Sequence, residues 1–161
     1  MNQMKGEIRT AFAESSDDVE RCAAVLQELR THLNPARIVE QARRQAVQAG
    51  YRLAFVEHGG SVQAVAGFRI QEFLAWGRTL YVDDLVTTAA GRSKGYGERL
   101  FLFLVEQARV QDCDQFHLDS GVQRFAAHRF YLRMRMIIGA HHFVLDLRDP
   151  APKASAIRPQ Q

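Results

Sequence analysis

Residues 79–110 constrain this chain more than any other stretch. Thr79-Leu80-Tyr81-Val82-Asp83-Asp84-Leu85-Val86-Thr87 reads as a strand, and residues 95–110 read as a strongly apolar helix. Between them stands a short basic loop with two glycines, Arg92-Ser93-Lys94-Gly95-Tyr96-Gly97. Strand, glycine-bearing loop and helix together make an anion site. The first N–H groups of a helix lack partners within it, and the helix dipole adds partial positive charge there. The glycines let a phosphate approach the backbone without meeting a Cβ. Two familiar phosphate patterns are excluded. The Gly-x-x-x-x-Gly-Lys-Ser/Thr loop is absent, and Gly-x-Gly-x-x-Gly fails because Leu100 stands where its third glycine belongs.

The rest of the chain sets the frame for that loop. Its 161 residues, 47% apolar, suit one globular domain over residues 1–149. Residues 150–161 carry Pro150, Pro152 and Pro159 without apolar periodicity and read as a disordered tail. No apolar run is long enough to span a membrane, and residues 1–7 lack the core of a signal peptide. Cys22 and Cys113 form no disulfide framework, so a reduced, cytoplasmic setting is expected. Of the net charge of +3, residues 148–161 carry two, which leaves the folded body near neutral. A basic nucleic-acid face is therefore not expected, and no membrane partner either.

Residues 7–12 alternate as a first strand. Asp17 and Glu20 resemble a capping box for a helix whose buried stripe is Val19, Cys22, Leu26, Leu29 and Leu33. Asn34-Pro35 breaks it, and a second helix over 36–49 ends at Gly50. Residues 51–58 and 62–73 form strands about a Gly59-Gly60 turn, and 80–87 completes a three-stranded meander. After the central helix come a short strand at 116–119, a helix over 124–134, and a last strand or strand pair over 136–147. Helices alternating with a sheet define a layered α/β (α+β) domain.

Read as Arg/Gln-x-x-Gly-x-Gly/Ala, Arg92 to Gly97 resembles the acyl-CoA loop of the GNAT superfamily of N-acetyltransferases. The element order matches that family too. Ala127-His128-Arg129-Phe130-Tyr131 resembles its Ala-x-x-Phe-Tyr segment. Two positions depart from the pattern. Arg124 stands where Asn is common, and Arg135 stands where Gly usually turns the chain into the next strand.

The resemblance implies a mixed, mostly antiparallel central sheet flanked by helices. It implies acetyl-CoA as co-substrate and direct transfer of an acetyl group to a primary amine on a small molecule or peptide. Arg92, Ser93, Lys94, Gly95, Tyr96 and Gly97 would hold the pyrophosphate. Leu85, Val86 and Thr87 would bind the pantetheine arm through their backbone, as an added strand would. Tyr131 would protonate the departing thiolate, since a phenol is protonated near neutrality. The connection near residues 32–38 would border the acceptor.

For the general base, Asp84 is the first candidate and Asp83 the second. Adjacent in a strand, they point to opposite faces, Asp84 with Leu80, Val82 and Val86, and Asp83 with Tyr81, Leu85 and Thr87. A carboxylate in an apolar row would have its pKa raised towards a useful value.

No metal is expected, because His141 and His142 would face opposite ways in a strand and no Cys/His cluster has ligand spacing. Edge strands at the C-terminal end allow a homodimer. The alternative to an enzyme is an acyl-CoA-binding sensor that kept the loop and lost turnover.

Overall fold

The computed structural model describes residues 6–148, which form two compact units, one through Asp119 and one from Ser120 onward. The tail expected over 150–161 lies outside the described residues.

The first unit is a five-stranded sheet with helices on both faces. In chain order it contains β1 (Ile8–Phe12), α1 (Ser16–Leu26), α2 (Pro35–Ala49), β2 (Arg52–His58), β3 (Ser61–Phe73), β4 (Gly77–Thr87), a single 3-10 turn (Ala89–Gly91), α3 (Tyr96–Val110) and β5 (Gln115–Leu118). The strands lie in the order β1-β2-β3-β4-β5; β5 joins β4 in parallel and the other pairings are antiparallel. This is the mixed, mostly antiparallel sheet expected from the sequence.

Local chemistry explains most boundaries. Ser15 caps α1: its Oγ accepts from the Asp18 amide at 3.1 Å while Asp18 Oδ2 accepts from the Ser15 amide at 3.3 Å. The capping box is thus Ser15 and Asp18, not Asp17 and Glu20, because the N-cap is whichever residue keeps extended backbone at the helix entrance. Helix α1 stops at Leu26, earlier than its apolar stripe, although Leu29 and Leu33 still pack against the core. Asn34 caps α2 by accepting from the Arg37 amide at 2.9 Å, Pro35 occupies the first turn, and Gly50 closes the helix with φ +63°. Gly59 and Gly60, at φ +58° and +80°, make the tight β2–β3 turn.

Two cores sandwich the sheet. Cys22, Leu26, Ile38, Phe55, Val65 and Val86 bury α1 and α2 on one face. Ala54, Val56, Phe68, Leu80, Val82, Leu100 and Leu104 bury α3 on the other. Side chains such as Phe55, Phe68, Leu80, Leu100 and Leu104 are essentially inaccessible to solvent. Each stabilises the fold by roughly 1.5–3 kcal/mol through burial.

The sheet has an irregularity in β4. Gly67 pairs with Asp84 but Phe68 pairs with Val82, so Asp83 is an extra residue in that strand, a β-bulge. Beyond it the alternation of β4 inverts. Leu80 and Val82 face α3, as does Leu85, whereas Val86 joins the core under α1 and α2. The expectation that Asp84 shares a face with Leu80 and Val82 is therefore corrected.

The second unit contains α4 (Phe125–Arg133). It ends in a Schellman motif: the Met136 amide donates to the Tyr131 carbonyl and the Arg135 amide to the Leu132 carbonyl, both at 3.0 Å. Arg135 takes the left-handed conformation at φ +65°, the geometry a glycine would otherwise supply. The final strand expected over 136–147 is not formed, and Ile137, Ile138, Phe143, Val144, Leu145 and Leu147 are exposed. Apolar pattern alone does not make a strand; its backbone needs a paired neighbour, and the described part of this unit contains no strand. Among the described residues no helix is long and apolar enough to cross a membrane.

Left-handed backbone costs an L-residue roughly 1–2 kcal/mol. Arg135→Gly is expected to slow amide hydrogen exchange across α4 by about fivefold, corresponding to ~1 kcal/mol of relieved strain. Unchanged exchange would show that Arg135 holds its turn without strain.

Candidate active site

The exit from β4 is built to present amides. Thr88 Oγ1 accepts from the Gly91 amide at 3.0 Å, closing the 3-10 turn. The Thr88 amide donates to the Gln63 carbonyl, and the Ala89 amide donates to Glu28 Oε2 at 2.8 Å, so β3 and the α1–α2 connection fix the turn. Arg92, Ser93, Lys94 and Gly95 follow, all exposed. Ser93 and Gly95 have φ of +61° and +83°.

Gly95 is the N-cap of α3, and no side chain caps the helix. Its first amides therefore point outward with the positive end of the helix dipole behind them. A Cβ built on Gly95 would meet nothing within 4 Å, so the mouth is open. Gly97 differs: a Cβ there would lie 3.0 Å from Thr87 Oγ1, so its lack of a side chain lets α3 sit close against β4. Tyr96 between them is buried in the α3 core, and its hydroxyl is hydrogen-bonded to His58 Nδ1 at the end of β2. The loop is exposed on its outer side and anchored from beneath.

Strand β4 has a free edge beside this loop. It pairs with β3 as far as Thr87, but with β5 only over Thr79–Val82. Among the described residues, Leu85, Val86 and Thr87 have a strand on one side only. An extended, amide-bearing chain could hydrogen-bond there as an added strand does.

On the α1/α2 face, a cavity of about 330 Å³ lies between α1, α2 and β4. Both Asp83 and Asp84 line it, a consequence of the bulge. Asp84 is held at both oxygens: Arg30 Nε donates to Oδ1 and the Tyr51 hydroxyl donates to Oδ2, each at 2.7 Å. Burial and the Asp84 charge push the Tyr51 phenol well above its ordinary pKa, keeping it a donor.

Asp83 is bound differently. Arg69 Nε donates to its Oδ2 at 2.9 Å, and Arg69 Nη2 donates in turn to Gln45 Oε1 at 2.8 Å. Burial raises the Asp83 pKa above the usual carboxylate value despite the Arg69 charge, with Asp84 adding repulsion. Asp83 thus has one committed side-chain oxygen and a raised pKa, whereas both Asp84 oxygens are bonded.

Tyr131 lies on α4, in the second unit, half-buried, with its ring 5.4 Å from that of Phe130. Burial raises its pKa, with Arg124 opposing. Its hydroxyl makes no hydrogen bond among the described residues. His128, three residues earlier, is bonded to the Gly121 carbonyl at 2.9 Å. Among the described residues no group of three or more His, Cys, Asp or Glu side chains is placed to hold a metal ion.

The sequence profile of the Acetyltransferase (GNAT) family matches residues 19–135. The chain belongs to the GNAT family. It is accordingly an N-acetyltransferase. Among its relatives is the Uncharacterized N-acetyltransferase YhdJ of Bacillus subtilis (strain 168), 34% identical over 107 residues, or 66% of this chain and 75% of that protein.

Solved structures share the GNAT fold at low identity. Aminoglycoside N-acetyltransferase AAC(6')-Iy in complex with CoA superposes with a TM-score of 0.79 at 8% identity, covering 92% of this chain and all (100%) of that one. An acetyltransferase of Trypanosoma brucei superposes with a TM-score of 0.72 at 21% identity, covering 88% of this chain and 100% of that one.

The GNAT loop and strand residues named from the sequence come together: Arg92 to Gly97 lie at the end of the strand that carries Leu85, Val86 and Thr87. Residues that sequence reasoning missed are Arg30, Tyr51 and Arg69, which hold the two aspartates, and His58, which anchors the loop. Arg30 and Asp84 are 54 positions apart, and Tyr51 and Asp84 are 33 apart, so no local pattern announces them.

Gly67 makes the Tyr51 contact possible. A Cβ on Gly67 would stand 1.8 Å from the Tyr51 hydroxyl, so the phenol passes over this glycine to reach Asp84. Gly→Ala within a strand ordinarily stabilises. Here Gly67→Ala is expected to destabilise by roughly 1–3 kcal/mol, read from the urea-denaturation midpoint. A midpoint equal to or above that of the parent would show that the ring can step aside.

Proposed function

We propose that this GNAT enzyme moves the acetyl group of acetyl-CoA directly onto a primary amine. The observation that carries the reading is the free edge of β4 running into the uncapped amides of α3. One offers hydrogen-bonding groups to an extended amide chain, and the other offers dipoles and N–H groups to a diphosphate. The residues fit that co-substrate: the open space over Gly95 leaves room for it, and Arg92 and Lys94 add charge beside the amides.

In this reading Arg92 to Gly97 bind the pyrophosphate, and Leu85, Val86 and Thr87 bind the pantetheine arm by backbone. The cavity between α1, α2 and β4 takes the acceptor. Asp83 accepts a proton from the ammonium, directly or through water, and the free amine forms a bond to the thioester carbonyl carbon. A β4 amide stabilises the developing oxyanion. As the C–S bond breaks, Tyr131 gives its proton to the sulfur, the nitrogen sheds its surplus proton through water to the phenolate, and coenzyme A leaves as the thiol. Asp84, held by Arg30 and Tyr51, keeps the acceptor cavity in shape. Of the two carboxylates, Asp83 is favoured as base, because both Asp84 oxygens are already bonded.

Gly95→Asp places a carboxylate in the anion site and is expected to weaken coenzyme A binding by at least about tenfold, measured by calorimetry. Unchanged affinity would remove the loop from the site. Tyr131→Phe is expected to lower kcat by about tenfold or more while acetyl-CoA affinity stays within twofold or so. Equal turnover would return Tyr131 to a packing role.

A further inference from the structure

We infer that the acceptor is a small amino carboxylate, an amino acid or close analogue, rather than a polyamine, an aminoglycoside or a peptide. The inference rests on reading the α1–α2–β4 cavity as the acceptor site. At about 330 Å³ the cavity is at the small end of ligand sites. Leu26, Leu33, Ile38 and Ala42 give it an apolar wall, and the two aspartates lie on β4.

Charge decides the class. Each carboxylate already faces a guanidinium, Asp84 with Arg30 and Asp83 with Arg69. Arg30 lines the cavity and Arg69 pairs with Asp83 from outside the lining, so the four groups sum to zero and leave no cluster of unpaired carboxylates to select a polycation. The cavity does offer both signs. The ammonium finds Asp83, whose second oxygen is uncommitted among the described residues.

The opposite charge finds Arg30, which lines the cavity with its side chain 43% exposed. Arg30 spends Nε on Asp84 and Nη2 on the Asp83 carbonyl, at 2.7 and 3.0 Å. Its Nη1 donors have no partner among the described residues. His32, two positions on, also lines the cavity and makes no hydrogen bond among the described residues. A planar guanidinium fixed by two bonds, with donors left over, suits a carboxylate at little entropic cost. An amide would offer those donors one neutral acceptor in place of a charge-assisted pair, and a simple alkylamine would offer none.

The test compares each common amino acid with its amide and with the amine lacking the carboxylate. Thiol release from acetyl-CoA is the readout. The amino acid is expected to exceed both analogues in kcat/KM by about tenfold or more for the preferred side chain. Arg30→Lys keeps the charge beside Asp84 but loses the fork, and is expected to shrink that preference to about threefold or less through KM. Thiol release with amides or plain amines equal to or better than amino acids would overturn the inference while leaving the transferase reading intact.

If no compound releases thiol, the proposed reaction fails separately. Binding of the same sets to the coenzyme A-loaded protein, read by calorimetry, then decides the matter. Tighter retention of the carboxylated member upholds the inference, and parity or no binding of any amino acid overturns it.

Discussion

One extra residue in β4 governs the whole arrangement. Because Asp83 has no partner in β3, the strand changes which face each later side chain serves. Val86 can then complete the core beneath α1 and α2 while Leu85 packs towards α3. The two aspartates come to line one cavity instead of pointing apart. Beyond the same point β4 has no parallel partner, since β5 pairs only as far as Val82. A regular strand would have turned the two carboxylates to opposite faces.

Sustaining the bulge requires compensation from distant elements. Two adjacent carboxylates, both largely withdrawn from water, would repel each other and resist burial. Arg30 from the α1–α2 connection and Arg69 from β3 each neutralise one. Arg30 also takes the Asp83 carbonyl, a backbone acceptor inside the bulge itself. Tyr51 completes the shell around Asp84, reaching it across Gly67, which pairs with Asp84 in the ladder. The polar network is therefore part of how the backbone irregularity is tolerated as well as part of the cavity's lining. Truncating one member would leave a charge without its partner, so effects within this group will not be additive.

Much of the fold was legible because its signals are local. Asn34-Pro35, Gly50 and Gly59-Gly60 each punctuate the chain through their own backbone preferences, and each acts where the sequence places it. The loop from Arg92 to Gly97 was legible for the same reason: an open helix N-terminus and small residues are visible in six consecutive positions. Two expectations failed where pairing, not propensity, decides. The apolar run over 136–147 has a strand-like composition yet is exposed and unpaired. The faces of Asp83 and Asp84 followed from strict alternation, which holds only while the register is unbroken.

The amino-acid sequence by itself determined the order of strands and helices from β1 to α4, the loop from Arg92 to Gly97 with its two glycines, and the phenol of Tyr131 on a helix that follows β5. Each depends on residues within a turn or two of one another. Tertiary structure alone decided that Asp83 and Asp84 share a cavity, that Arg30, Tyr51 and Arg69 hold them, and that His58 supports Tyr96 from below. Those contacts join side chains separated by 14 to 54 positions, and they exist only because the sheet register, including the slipped residue in β4, brings the strands and helices into line.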